Sequence, residues 1–289
     1  MITASAGTSD PLIFTANLHG AAVYLDNFAI KALAKGDPSR RRKFVDAIHR
    51  GAELLFSVAN AVELSGPKDK SFDIIKAFLN ELGAHWFPVE LNVLEVVKRE
   101  AQGAGPSRSC VSVDFMRDCV KVFLTEDLPG SGRVVNLSED FFRLGPVMDW
   151  VASQRDSITR GKAQFDEALR TRIRMQCAKR KVDPEWMEQN YPVFPFVKSH
   201  PANFVLINLN RTLILEASSH RLKKGDGIDF SHAVMASAFA NFGALDKHWK
   251  RRLDGLPKPN DVARIYYEPE LDHMVDDIET ALNSMKAGA

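Results

Sequence analysis

The sequence predicts an α/β protein built on a parallel sheet and interrupted by a helical insertion. Two observations lead there. Between residues 21 and 97, and again between 201 and 285, short apolar runs alternate with stretches whose apolar residues recur at helical spacing. Such alternation favours a parallel sheet with right-handed crossovers. Between about 103 and 200 the alternation stops, and only helical stretches broken by Pro and Gly are read. The expected organisation is residues 1–102 as the first part of the core, 103–200 as a helical insertion, and 201–289 as the second part.

Taken in order, residues up to about 19 read as a loose lead-in. Five successive apolar residues at 21–25 read as a strand buried on both faces. A short helix over 28–35 follows. Asp37 then caps a second helix, with Pro38 at its first position, running to about residue 50. A strand at 53–58 leads into a helical turn at 59–64, ended by Gly66 and Pro67. Phe72, Ile75, Phe78, Leu79 and Leu82 mark one face of an amphipathic helix over 72–82. A third strand occupies 85–89, and Leu91, Leu94 and Val97 continue as a helix. After the insertion, helices are expected over 201–220 and from Asp229. A strand at 242–245, a helix at 247–253, a strand at 263–267 and a closing helix at 271–285 complete the chain.

Bulk properties narrow the function classes. With 45% hydrophobic and 26% charged residues, the chain has a globular composition. Lys plus Arg number 38 and Asp plus Glu 37, so any surface for a polyanion must be local. Three cysteines without zinc-ligand spacing argue against a disulfide framework. No apolar run approaches the ~20 residues that span a bilayer, and residues 1–11 lack a secretory pattern; the cytoplasm is the expected location, with no membrane partner. Nucleophile elbows, P-loops and dinucleotide-binding glycine turns are missing from the sequence.

Four acids stand out by position. Asp26 ends the first apolar run, Glu63 follows the second, Asp229 opens an apolar helical segment, and Asp246 follows the short run at 242–245. In open parallel sheets the carboxyl ends of the strands form the ligand-binding edge. Carboxylates gathered there repel one another unless a hard cation neutralises them. Ser57, Asn60 and Glu63 stand three apart, as do Asp226, Asp229 and His232, so each set can share a helical face. Each residue also has a plain structural reading. Asp26 can be a turn residue, Glu63 a solvated helix residue, Asp229 and Asp246 N-caps, and His232 a hydrogen-bonded core histidine.

The segments Tyr24-Leu25-Asp26-Asn27, Ser57 through Leu64, Asp229-Phe230-Ser231-His232-Ala233 and Ala244-Leu245-Asp246-Lys247 resemble, in order, the four signature segments of PIN-like domain nucleases. The likeness covers about residues 21–97 and 201–285. It implies a three-layer α/β/α sandwich with a central parallel sheet. It further implies Mg²⁺ or Mn²⁺ and hydrolysis of a phosphodiester by an activated water. RNA is the expected substrate, with DNA as the other polynucleotide the reading admits. By position, Asp26, Glu63, Asp229 and Asp246 would be the catalytic, metal-binding carboxylates, with Asp226 as an accessory ligand. Asn27, Ser57, Asn60 and His232 would support them from behind. Two departures are visible: Ala244 stands where the family often has Thr or Ser, and the insertion is long.

Between 155 and 181 basic residues outnumber acids, and Arg170, Arg172, Arg174 and Lys179 are the candidate contacts to nucleic acid; a solvated helix face is the alternative. The competing function is a non-catalytic PIN-like module that binds RNA or protein. An aspartate-nucleophile phosphotransferase would want an acid where Phe28 stands. A protein inhibitor or antitoxin is a further partner the resemblance admits. The sequence leaves the oligomeric state open.

Overall fold

The computed structural model describes residues 2–5, 13–18, 20–66, 70–127, 142–177, 184–216 and 222–287. Five strands form an all-parallel sheet: β3 (Ala21–Leu25), β4 (Ala52–Phe56), β5 (Trp86–Pro88), β6 (Phe242–Ala244) and β7 (Arg264–Tyr266), in the order β5-β4-β3-β6-β7. The chain starts in the middle at β3 and steps outward to β5. It then returns to lay β6 on the other side of β3, with Val23 opposite both Leu54 and Phe242. Strand order therefore reverses between β3 and β6, the topological switch point where such sheets open a crevice.

Side-chain alternation explains how the sheet is covered. Val23, Leu25, Leu54, Phe56 and Trp86 point to one face. There they meet α1 (Asn27–Lys35), α2 (Pro38–His49), α3 (Val58–Leu64), α4 (Lys70–Glu81), α7 (Val113–Asp127), α8 (Leu144–Ser153) and α14 (Leu271–Ala287). Ala22, Tyr24, Leu55 and Phe87 point the other way, onto α5 (Val93–Ala101), α6 (Pro106–Cys110), α11 (Pro201–Glu216), α12 (Asp226–Phe239) and α13 (Lys247–Asp254). A parallel sheet buried on both sides accounts for the unbroken apolar runs. The arrangement is consistent with a three-layer sandwich.

Local signals mostly act as read. Asp37 accepts from Ser39 N at 2.7 Å, with Pro38 beginning α2. Ser57 and Asn60 form a reciprocal capping box on α3. Three places differ. The lead-in contains an antiparallel pair, β1 (Ile2–Ser5) with β2 (Ile13–Ala16); four-residue strands rich in Ala, Ser and Thr carry little apolar period. In α5 the buried apolar positions are Val93 and Val96, while Leu94 faces solvent. α12 begins at Asp226, with Gly225 before it at a φ of 103°, so Asp229 lies one turn inside the helix rather than at its start.

The described part of the insertion is mainly helical, with an irregular stretch over 191–200, and is built into both layers. Phe115, Cys119, Val147 and Met148 of α7 and α8 join the first core, and Trp86 Nε1 donates to Phe142 O at 2.7 Å. α9 (Arg155–Cys177) packs on α12, α11 and α3, and α10 (Pro184–Asn190) follows it. Cys110 and Cys119 are free thiols, and burial pushes Cys110 up to about 12. On α2, Arg40 pairs with Asp272, Arg41 with Glu81 and Lys43 with Asp276. Among the described residues no helix is long and apolar enough to cross a membrane.

Candidate functional site at the carboxyl edge of the sheet

Asp26 leaves β3 and Asp246 leaves β6, its neighbour. The Asp26 N–H donates to Ala244 O at 2.9 Å, carrying the β3–β6 ladder up to the crevice. Both acids cap the helices they precede. Asp26 accepts from Asn27 N at 2.5 Å, and Asp246 accepts from His248 N at 2.7 Å and Trp249 N at 3.0 Å. The N-cap reading of Asp246 is thus correct, and one of its oxygens, Oδ1, takes both bonds. Asp26, Glu63, Asp226, Asp229 and Asp246 are all half-buried.

The supporting residues form a chain of hydrogen bonds behind the acids. Asn60, fully buried, donates to Leu25 O at 3.3 Å and to Asn27 Oδ1 at 3.4 Å. Asn27 in turn donates through Nδ2 to Glu63 Oε2. The Ser57 hydroxyl donates to Asn60 Oδ1 at 2.8 Å. An amide fixed by the turn after β4 thereby orients the amide after β3, which orients the carboxylate on α3.

Tyr24 supplies a second link, one missed when it was read as part of an apolar strand. Its hydroxyl is hydrogen-bonded to His232 Nδ1 on α12, in a fully buried pair. Burial, and then the Asp26 charge, hold the phenol well above its ordinary range; Asp229 adds to this, while Ser57 and Asn60 oppose it. Asp26, Asp229, Ser57 and Asn60 therefore all act on one hydroxyl. The available signal was a tyrosine two residues before Asp26 in an otherwise apolar run, because a buried Tyr hydroxyl wants a partner.

Asp226 closes the turn before α12, accepting from Lys223 N at 2.5 Å. The acid that holds this helix is one the sequence reading passed over. Asp166 of α9 is 4% exposed and accepts from Gly225 N at 3.2 Å, Gly227 N at 2.9 Å and Arg170 Nε at 3.0 Å. A Cβ at Gly227 would come within 2.8 Å of the Asp166 carbonyl, so this close approach needs glycine.

Arg170 is consequently not a solvent-facing cation. Its side chain is 11% exposed and is shared between Asp166 and Glu167. Helical spacing puts residues 166, 167 and 170 on one side, and that side faces α12. Arg172 is exposed, Arg174 is half-exposed and lies 3.8 Å from Glu167, and Lys179 lies outside the described residues.

The donor set at the edge is oxygen-rich, which suits a hard divalent cation. No three His, Cys, Asp or Glu side chains among the described residues are drawn into a single ion-holding cluster. Mg²⁺ keeps several waters and commonly uses one or two protein carboxylates plus substrate phosphate, a demand that Asp26 and Glu63, which both accept from Asn27, could meet. Beside Glu63 lies a cavity of about 580 Å³ between α1, α3, α9 and the start of α12. No protein-family model matches this chain, and no curated protein or solved structure matches it.

Proposed function

We propose that the chain is a metal-dependent phosphodiesterase of the PIN-like kind, an endoribonuclease in the first instance. The observation that carries this reading is the position of Asp26, Glu63, Asp229 and Asp246 around the carboxyl ends of β3, β4 and β6, beside the reversal of strand order. Asp26, Glu63 and Asp229 would hold Mg²⁺ or Mn²⁺. When bound, the ion would neutralise these acids, draw in a phosphate and activate water as the nucleophile. Asn27 keeps Glu63 in place, and the Tyr24–His232 pair ties β3 to the helix bearing Asp229. Arg172 and Arg174 remain as exposed cations for a polyanionic strand.

One observation favours the non-catalytic module. Asp246 spends its carboxylate on the α13 cap, as a purely structural acid would. The discriminating experiment is RNA cleavage with Mg²⁺ or Mn²⁺, comparing the native chain with Asp26→Asn and with chelator. Asparagine caps a helix as well as aspartate, so the variant should stay as stable while losing cleavage. Equal cleavage by both proteins would sink the reading. Mn²⁺ binding without cleavage would favour the binding module.

A further inference from the structure

We propose that the cavity beside Glu63 is a binding subsite for a nucleotide phosphate, created by the insertion. The proposal rests on the phosphodiesterase reading for its biological sense, though not for its physical basis. Three stretches of chain bring a cation to the cavity wall: Lys31 from α1, Arg155 from α9 and Lys224 from the turn before α12. Two carboxylates also line it, and both are engaged. Asp166 is neutralised by Arg170 and by the Gly225 and Gly227 N–H groups, and Glu63 accepts from Asn27. Glu63 keeps its charge, but three cations against that one carboxylate leave the field positive, in a recess where low-dielectric walls strengthen it.

Shape and lining fit the same ligand. A volume of about 580 Å³ lies within the range of small-molecule sites. Val62 and Ile228 give an apolar floor against which a sugar or base can rest, and Thr159 offers a hydroxyl. Arg155 is braced by donating to Gly66 O at the end of α3, which limits the freedom it must lose on binding. Glu63 belongs to both places: it lines the cavity and is bonded to Asn27, the residue that also donates to Asp26. A phosphate held here would sit on the flank of the acids without occupying them. Removing α9 would remove Arg155, Thr159 and the Asp166 contact together, so the subsite belongs to this chain's insertion.

The test uses the full chain without metal, titrated by calorimetry with adenosine 5′-monophosphate and with adenosine. The monophosphate should bind, and adenosine at least about tenfold more weakly, since it lacks the charged hydrogen-bond acceptor. Lys31→Ala with Lys224→Ala should cost the monophosphate at least about tenfold. Ala163→Trp, which fills the cavity without changing charge, should do the same. Arg117→Ala with Lys121→Ala, an equal charge loss on α7, should change nothing. Equal binding of both ligands, or equal losses in the α7 control, would overturn the proposal. Cleavage of RNA by a chain that ignores the monophosphate would sink the subsite alone. Binding of the monophosphate by a chain that never cleaves would keep the subsite and sink the nuclease reading.

Discussion

The carboxyl edge of the sheet and the contact between α9 and α12 both gather carboxylates, and they treat them in opposite ways. At the helix contact, Asp166 is buried, carries a guanidinium partner and accepts two backbone N–H groups. At the sheet edge, Asp26, Glu63, Asp229 and Asp246 remain half-buried, and the donors that orient Asp26, Glu63 and Asp246 are neutral amides. A buried carboxylate must be neutralised within the protein, because its lost hydration is otherwise uncompensated. A half-buried one keeps part of its hydration and stays open to a ligand. Burial, more than acidity, separates the acid that holds the helix contact from those at the sheet edge.

The sharpest way to break the comparison is Asp166→Ala. It would leave Arg170 to Glu167 alone and two N–H groups at the start of α12 without their acceptor. Removing one partner of a buried pair costs about 3–5 kcal/mol; with Arg170 slightly exposed, about 3 kcal/mol is expected. Asp166→Asn keeps a carbonyl acceptor and should lose less. Urea unfolding measures both. A loss under about 1 kcal/mol for the alanine variant would put Asp166 in the same class as the edge acids.

Tyr24→Phe tests the middle ground, where a neutral group ties the edge to the core. The variant keeps the ring that packs in the second core and removes the hydroxyl bonded to His232. A buried group that loses its partner costs about 1–3 kcal/mol, so a loss of about 2 kcal/mol in the same unfolding assay is expected. No measurable loss would mean that the hydroxyl does not help to hold α12 at the edge.

These residues show what the sequence could and could not reveal. The sheet was legible because strands buried on both faces read as continuous apolar runs, and the caps at Asp37, Ser57 and Asp246 were legible because their partners lie within three residues. Ser57 and Asn60 were found by spacing and Asn27 by its place in the resemblance, and the three form one connected network. The fate of Arg170 and Asp166 was hidden, because the groups that decide it, Gly225 and Gly227, are about sixty residues away. The same holds for Glu100 of α5, buried and accepting from Ala202 N and Asn203 N to cap α11. The basic count between 155 and 181 could not distinguish a cation used for packing from one left in solvent. Tyr24 was obscured by the strand that contains it.

The smallest expected effect concerns a third kind of acid, paired like Asp166 but left in solvent. Arg40 on α2 grips Asp272 at the start of α14 with two bonds, of 2.5 and 2.8 Å, and the Asp272 side chain is 62% exposed. The guanidinium hydrogen bond holds the Asp272 carboxyl below its ordinary range. A depressed carboxylate contributes stability above its unfolded-state pKa and loses it as pH falls through the folded value. Water and salt screen this pair, so its coupling should be at most about 0.5 kcal/mol at pH 7. A double-mutant cycle of Arg40→Gln and Asp272→Asn measures it, and the coupling should be lost as pH falls through the folded value and the carboxyl takes up its proton. A coupling above about 1.5 kcal/mol that survives high salt would contradict the comparison. Pairing alone would then be enough to make an acid structural, and burial would not be the quantity that separates Asp166 from the edge.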